Sequence, residues 1–149
     1  MTRNRDVEAR LVGAYRLISM EHFTADGEVG RPFGEEPKGF IVYASEGVMS
    51  AILMRRDRPN FPAGDILGGS DGERAAAFAS ASAYAGHYEV VDDQIVHHLE
   101  VTTYPNWTGT DQPRHFDLTD THLTLYPPDM LMEGKIRHGR VHFERLHVG

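Results

Sequence analysis

The sequence predicts an all-β fold, an antiparallel up-and-down β-barrel of about eight strands with one inserted α-helix. Short segments rich in β-branched and aromatic residues recur along the chain, and most alternate between apolar and polar positions. Turn signals such as Asp26-Gly27 and Pro127-Pro128 separate these segments at regular spacing. One further segment carries helix-capping residues. A β-sandwich would produce the same pattern, so the sequence leaves both architectures open.

The composition limits the class of protein. With 149 residues, of which 40% are hydrophobic and 25% charged, the chain suits one domain, residues 1–149, with a sizeable core. The net charge of −7 argues against nucleic acid or an anionic membrane as a partner. The lack of cysteine removes disulfides and thiolate chemistry. The sequence shows neither a signal peptide nor a membrane-spanning apolar run, so a cytoplasmic location is expected.

The first part of the chain contains strand and turn patterns. Residues 1–9 are polar and are expected to be frayed or loosely helical. Asp26-Gly27 closes a strong hairpin signal, because this pair favours positive φ angles. The strands predicted here are Leu11–Phe23, a short returning segment Glu28–Gly34, Gly39–Tyr43 and Val48–Met54.

One helix is predicted after a long loop. The segment Arg55–Gly69 is long for a compact domain, so it is either a lid or binding loop or a solvated connector. Ser70 and Glu73 form a capping box that begins the helix. The alanine-rich segment from about Gly72 to Ala85 continues it, and Gly86 is a suitable C′ residue to end it.

The second half is organised around a predicted strand from Ile95 to Tyr104, which ends at Pro105. One face carries Ile95, His97, Leu99, Val101 and Thr103. The other face carries Val96, His98, Glu100, Thr102 and Tyr104. The chain then returns through Arg114 and Phe116. The other strands predicted in this half are His87–Val91, Leu123–Tyr126 and, after a turn at Gly139, Arg140–Leu146.

Several segments resemble the bacterial lipocalin-like domain family, and the resemblance covers residues 11–146. The segment Leu11-Val12-Gly13-Ala14-Tyr15-Arg16-Leu17 resembles the opening strand of lipocalin-type barrels, with tyrosine where many members have tryptophan. The segment Pro105-Asn106-Trp107-Thr108-Gly109-Thr110-Asp111-Gln112, together with Arg114, resembles the most specific signature of the family. Further resembling segments are Pro32–Gly34, Gly39–Tyr43, Gly47–Ala51, Ala83–Gly86 and His97–Val101.

The resemblance implies a lipocalin-like barrel with an interior pocket. It also implies that Arg145 on the last strand packs over the ring of Tyr15 on the first, a cation–π contact worth roughly 0.5–2 kcal/mol. It implies less about activity, since related small barrels include plain carriers and enzymes, some of them cyclases or isomerases of bacterial natural-product pathways.

Three polar residues are candidates for catalysis: His98, Glu100 and Arg114. His98 and Glu100 lie at i and i+2 on the predicted strand and therefore share a face. A histidine oriented by a carboxylate can act as a general acid or base, and Arg114 could pair with Glu100 or hold a carboxylate or enolate oxygen of a ligand. Alternatively this face is the outer surface, and His97, Leu99 and Val101 belong to the core. The sequence leaves both orientations open.

No metal or other cofactor is expected. His97 and His98 are adjacent and point in opposite directions, and the remaining histidines show no familiar ligand spacing. Gly68-Gly69 is too little for a phosphate-binding loop.

Aromatic and methionine side chains are candidates for lining a ligand pocket, because they suit irregular hydrophobic molecules. The predicted ligand-binding residues are Tyr43, Met49, Met54, Tyr84, Thr102, Tyr104, Trp107 and Tyr126. For any one of them, the alternative is an ordinary core residue.

The function expected from these features is binding of a small hydrophobic molecule inside the barrel. The leading interpretation is a cofactor-independent cyclase or isomerase of natural-product, polyketide-like biosynthesis. The alternative is a non-catalytic carrier or sequestering protein. A third interpretation, a structural or interaction module, requires a filled barrel without a cavity. Whether the chain forms a homodimer stays open.

Overall fold

The chain folds into a closed antiparallel β-barrel. The structure is a computed structural model that describes residues 1–147. Its helices are α1 (Arg5–Leu11), α2 (Asp71–Ala79) and a short 3-10 helix, Pro105–Trp107. Its strands are β1 (Gly13–Phe23), β2 (Val29–Gly30), β3 (Lys38–Tyr43), β4 (Val48–Met54), β5 (Ala81–Val91), β6 (Gln94–Thr102), β7 (Asp111–Leu118), β8 (His122–Tyr126), β9 (Met130–Met132) and β10 (Lys135–Arg145).

The strand order confirms the up-and-down barrel and excludes the sandwich. The sheet runs β2-β1-β3-β4-β5-β6-β7-β8-β10-β9, and β1 also pairs with β10, which closes it. Eight strands therefore form the barrel. The short strands β2 and β9 lie outside it and pair with β1 and β10, respectively. Closure removes the unpaired edges that an open sheet would expose.

Alternation of side chains fills one half of the barrel with a core. In β4, for example, Met49, Ala51 and Leu53 are buried, whereas Ile52 is exposed. Leu11 of α1 and Phe143 of β10 are fully buried in the half of the barrel next to α1. Burial of these apolar surfaces supplies most of the driving force for folding.

Tyr15 and Arg145 close this end of the barrel. The guanidinium carbon of Arg145 lies 4.8 Å from the centre of the Tyr15 ring, which confirms the contact implied by the family resemblance. Arg145 also donates to the backbone oxygens of Val12 (3.0 Å) and Arg10 (2.7 Å). The hydroxyl of Tyr15 donates to the backbone oxygen of Leu11 at 2.7 Å. The pair therefore ties the first strand, the last strand and α1 together.

The predicted helix begins where expected but ends too late. Ser70 and Glu73 form the predicted capping box, and α2 begins at Asp71. The prediction that the helix reaches Ala85 is wrong, because α2 ends at Ala79 and Ala81–Ala85 pair with β4. Hydrogen bonding to a neighbouring strand outweighs the helix propensity of alanine, which is the highest of any residue but still a weak local preference.

The two chain ends also differ from the predictions. Residues near the start are ordered, because the Asn4 side chain caps α1 and the Asn4 amide donates to the backbone oxygen of Val90 at 2.7 Å. The predicted turn at Gly139 lies inside β10, which begins at Lys135 and forms a hairpin with β9. Strand β9, Met130–Met132, lies in a segment for which no strand was predicted. Among residues 1–147, no helix is long and apolar enough to cross a membrane.

Candidate ligand-binding cavity

A cavity of about 590 Å³ occupies the end of the barrel opposite α1. Along β1, Tyr15 and Leu17 belong to the core. Met20 and His22, further along the same strand, line the cavity. The lining residues are Met20, His22, Pro32, Phe33, Leu53, Phe78, Ala79, Ala81, Ser82, Tyr84, Thr103, Tyr104, Trp107, Gln112, Arg114, Pro127, Met130, Leu131, Met132 and Val141. Most are apolar, as in typical sites for small organic ligands.

Three aromatic residues, Tyr84, Tyr104 and Trp107, form one side of the cavity, called here the aromatic wall. Trp107 meets Tyr84 edge-on with ring centres 5.9 Å apart, and Tyr104 likewise at 5.5 Å. Pro105 begins the 3-10 helix that carries Trp107, and the Thr110 hydroxyl donates to the Trp107 carbonyl. The structure thus places three predicted ligand-binding residues on the cavity surface, held in mutually packed orientations.

Two short elements border the opening of the cavity. Phe78 and Ala79 come from the end of α2, and Met130–Met132 form β9. Leu131 is 70% exposed although it lines the cavity, so an apolar side chain stands at the rim. The lining residues near the opening come from these elements and not from the loop Arg55–Gly69. Arg58 of that loop instead donates to Ser80 Oγ and to the Ala77 carbonyl, which ties the loop to α2.

Arg114 brings a buried positive charge to the cavity surface. It lies on β7 opposite Ile95 of β6 and is only 3% exposed. Its Nη2 donates to Gln112 Oε1 at 3.0 Å, and its Nε is buried without a hydrogen-bond partner among the described residues. Arg114 therefore faces the interior of the barrel, at the cavity surface.

His97 and Tyr43 form a buried hydrogen-bonded pair next to this charge. The Tyr43 hydroxyl lies 2.8 Å from Nε2 of His97, and both side chains are fully buried. Burial raises the pKa of Tyr43 well above its ordinary value, so its hydroxyl keeps its proton. Nδ1 of His97 is buried and has no hydrogen-bond partner within residues 1–147. From the sequence, His97 was expected in the core only in the alternative orientation of the strand. Its place on the same face as Ile95 and Leu99 was the signal for that buried position.

Of the two orientations that the sequence left open, the structure has the one that places His98 and Glu100 outside. His98 lies on the outer surface, with Nδ1 2.7 Å from Asp111 Oδ1 and Nε2 3.1 Å from Glu89 Oε1. Glu100 is also outside and pairs with His87 at 2.8 Å, so it does not meet Arg114. The hydrogen bond that His98 donates to Asp111 is the main cause that raises the pKa of His98.

A β-bulge interrupts the alternation of side chains in β6 after Leu99. Leu99 pairs with Gly86, but Val101 pairs with Ala85, so Glu100 is an extra residue in β6. Glu100 and Val101 consequently both lie on the exposed surface, although they are neighbours in a strand. Beyond the bulge the alternation is reversed, and Thr102 pairs with Tyr84, which faces the cavity.

The remaining predicted ligand-binding residues lie elsewhere. Tyr43 and Met49 are buried in the core. Met54 contacts Arg58 through its sulfur at 3.6 Å, and the Thr102 hydroxyl donates to the Tyr104 carbonyl at 2.7 Å. Tyr126 lies on the outside of β8 and donates to Asp117 at 2.7 Å. These five residues are not among those that line the cavity.

The sequence analysis missed several lining residues. His22 lies on the inward face of β1, Phe33 on the segment after β2, and Gln112 on β7 next to Arg114. Gln112 belonged to the recognised signature and could have been found from its spacing of two residues from Arg114. Met130–Met132 had no strand signal, because the pairing with β10 and not the local pattern makes β9. Among residues 1–147, no group of three or more histidine, aspartate or glutamate side chains is arranged to hold a metal ion.

Burial of His97 predicts a pH dependence of stability. Burial lowers the pKa of His97 well below its ordinary value, and the nearby Arg114 lowers it further. Below a pH of about 6.5 the unfolded chain therefore takes up a proton at His97 that the folded chain does not. The free energy of unfolding should fall as the pH drops, with a contribution of up to about 1.4 kcal/mol per pH unit.

Urea denaturation of wild type and His97→Gln between about pH 7 and pH 5.5 measures this contribution. The wild type should lose stability more steeply than the variant over this range. His87→Gln serves as the control, because that ring is exposed, and its slope should match the wild type. Equal slopes for wild type and His97→Gln would contradict the assignment.

Comparison with known proteins supports the sequence resemblance. A family model described as a lipocalin-like domain matches residues 12–146. The 4'-hydroxy-3'-methoxypropiophenone carrier protein ppsC of Aspergillus oryzae (strain ATCC 42149 / RIB 40) is 36% identical over 74 residues, which span 44% of this chain and 67% of that protein.

Two solved structures are also similar. A lipocalin-like protein from Bacteroides uniformis ATCC 8492 aligns with a TM-score of 0.48 and 18% identity over 92% of this chain and 99% of that one. An uncharacterized protein from Bacteroides eggerthii DSM 20697 aligns with a TM-score of 0.45 and 18% identity over 91% of this chain and 99% of that one. The family match extends over nearly the whole barrel, and the chain belongs to the lipocalin-like domain family.

Proposed function

We propose that the protein binds a small hydrophobic molecule in the barrel cavity and acts as its carrier. The observation that supports this most directly is the cavity itself, about 590 Å³ with a mostly apolar lining. Sites for small organic ligands typically measure about 300–1,000 Å³ and are lined in the same way. A structural module would instead fill its barrel with side chains.

The cavity surface favours a ligand that contains an aromatic ring. The aromatic wall presents ring edges and faces at fixed angles, and such rings prefer edge-to-face or offset contacts with another ring. The Aspergillus relative is named as the carrier of an aromatic ketone. That name supports both the carrier role and the aromatic ligand proposed for this chain.

A cofactor-independent cyclase or isomerase is the second candidate. Arg114 favours it, because a buried guanidinium beside the cavity could stabilise an enolate oxygen as it forms. His98 and Glu100 lie on the outer surface, so proton transfer would require a different group. The carrier is preferred because it needs only the cavity and its apolar surface.

Blocking the cavity should abolish binding. Ser82 lines the cavity from β5, whereas its neighbour Ala83 pairs with Ile52 on the outer face. Ser82→Trp should weaken binding of N-phenyl-1-naphthylamine and of 4'-hydroxy-3'-methoxypropiophenone by roughly 10-fold or more, since steric overlap of this kind costs about 1–3 kcal/mol. Ala83→Trp adds the same side chain to the outside and should leave both affinities near wild type.

Fluorescence titration measures the affinity for N-phenyl-1-naphthylamine. Isothermal calorimetry measures the affinity for 4'-hydroxy-3'-methoxypropiophenone. If Ser82→Trp binds both as tightly as the wild type does, the ligands do not enter this cavity and the proposal is wrong. If neither compound binds the wild type, the cavity does not take hydrophobic aromatic molecules.

Carrier and enzyme differ in what happens to the bound compound. Native mass spectrometry of protein purified from its own host, followed by denaturing release, identifies the ligand that the barrel holds. The released compound is then incubated with fresh protein and followed by liquid chromatography. Recovery of the unchanged compound is the result expected of a carrier. Conversion at a rate proportional to protein concentration, and lost in Ser82→Trp, would overturn the carrier role in favour of the enzyme.

A further inference from the structure

The charge on Arg114 lacks a counterion among the described residues. The residue is only 3% exposed, and its guanidinium forms no ion pair with any carboxylate of residues 1–147. Gln112 is its hydrogen-bonding partner, and Nε has none in this part of the chain. Burial of a charged group is costly unless the charge is paired and hydrogen-bonded.

Arg114 is the one arginine or lysine among the described residues that line the cavity. The chain has 22 aspartates and glutamates and a net charge of −7, yet the 20 lining residues include no acidic side chain. Burial is the main cause that lowers the pKa of His22, the lining histidine, and of His97 behind the cavity surface, so both rings are neutral near pH 7. Arg114 is therefore the fixed charge that a ligand meets in the part of the cavity formed by residues 1–147.

Arg145, which has a structural role, differs from Arg114 in its partners. Arg145 is also partly buried, but it donates to two backbone carbonyls and covers the Tyr15 ring. An arginine with a structural role thus finds hydrogen-bond acceptors and an aromatic ring within the protein itself. Arg114 has one amide partner and reaches the cavity surface, so groups that could pair with its charge must come from the cavity.

We propose that the natural ligand carries an anionic oxygen, as in a carboxylate, sulfonate or phenolate, which pairs with the guanidinium of Arg114. The apolar body of the ligand then lies against the aromatic wall. This inference rests on the proposed function and specifies the chemical class of the ligand. Charge-assisted hydrogen bonds to a guanidinium are short, directional and stronger than neutral ones, so Arg114 selects the acid over its neutral analogue.

Two fluorescent compounds with nearly the same aromatic body test the proposal. The 8-anilinonaphthalene-1-sulfonate ion carries an anionic group, and N-phenyl-1-naphthylamine lacks it. Arg114→Met removes the charge and keeps a long apolar side chain. We expect it to weaken binding of the sulfonate by roughly 10- to 100-fold and to leave the amine within about twofold of wild type.

Arg16→Met is the matched control, because Arg16 is exposed on the outer face of β1 and its loss changes the net charge equally. It should leave both affinities near wild type. Arg114→Lys keeps the charge and should retain part of the preference for the sulfonate, and far-ultraviolet circular dichroism checks that each variant is folded.

The outcomes distinguish this inference from the proposed function. If Arg114→Met weakens neither compound, or weakens both equally, the ion pair is wrong while binding in the cavity stands. If Arg16→Met weakens the sulfonate as much as Arg114→Met does, the effect is long-range electrostatics and the inference fails. If Ser82→Trp leaves the amine bound, the proposed cavity site itself fails.

Discussion

Gly86→Ala is expected to lower the free energy of unfolding by about 3 kcal/mol or more, because the added methyl group has no room. A Cβ atom at this position would lie 1.9 Å from the His98 carbonyl oxygen and 2.9 Å from the His98 carbonyl carbon. Both are backbone atoms of β6 at the bulge, so they cannot move aside as a flexible side chain would. Glycine is required here by the close approach of two strands.

Urea denaturation followed by circular dichroism measures the change. Gly72→Ala is the control, because a Cβ atom at Gly72 has no neighbour within 4 Å and this residue lies in α2. Alanine there should keep the protein as stable as wild type or stabilise it by up to about 1 kcal/mol. A stability of Gly86→Ala within about 1 kcal/mol of wild type would show that β5 and β6 separate easily at the bulge.

Tyr15→Ala is expected to destabilise the protein by about 3–5 kcal/mol, the usual cost of removing a large buried aromatic side chain. The Tyr15 ring is fully buried and contacts the Tyr43 ring edge-on, with centres 6.2 Å apart. Its removal also leaves the Arg145 guanidinium without the ring that it covers. The end of the barrel next to α1 would lose contacts from β1, β10 and α1 at once.

The conservative variant Tyr15→Phe separates the ring from the hydroxyl. It loses only the hydrogen bond to the Leu11 carbonyl and should cost about 1 kcal/mol. Both variants should bind N-phenyl-1-naphthylamine with wild-type affinity at temperatures where they are folded, because Tyr15 lies in the core and not on the cavity surface. Equal losses in the two variants would contradict the assignment of most of the stabilisation to the ring.

The sequence alone predicted the class of fold, since that prediction depends on local patterns. Alternation in Val48–Met54 and Leu123–Tyr126 marks strands because every second side chain must leave water. The start of α2 was equally predictable, because the side chains of Ser70 and Glu73 accept hydrogen bonds from each other's backbone amides. The end of α2 could not be predicted in this way, because it is set by the pairing of Ala81–Ala85 with β4, which is distant in sequence.

The candidate site was predicted in part. Tyr84, Tyr104, Trp107 and Arg114 were named from the sequence and lie on the cavity surface. His98 and Glu100 were named as catalytic candidates with their orientation left open, and the structure has the arrangement favoured by the apolar alternation of Ile95, His97 and Leu99. A repeat of two residues defines two faces of a strand and does not say which one faces inward when both carry polar groups.

By itself, therefore, the sequence determined most of the strands, because strands depend on side-chain alternation. The family resemblance added the barrel class and the contact of Arg145 with Tyr15. Only the tertiary structure decided which groups share the cavity. The bulge at Glu100 is a property of the pairing between β5 and β6, and it places Glu100 and Val101 outside while Thr102 returns to the inner face. Closure of β1 against β10 likewise determines that a buried guanidinium, an aromatic wall and an apolar rim meet around one cavity.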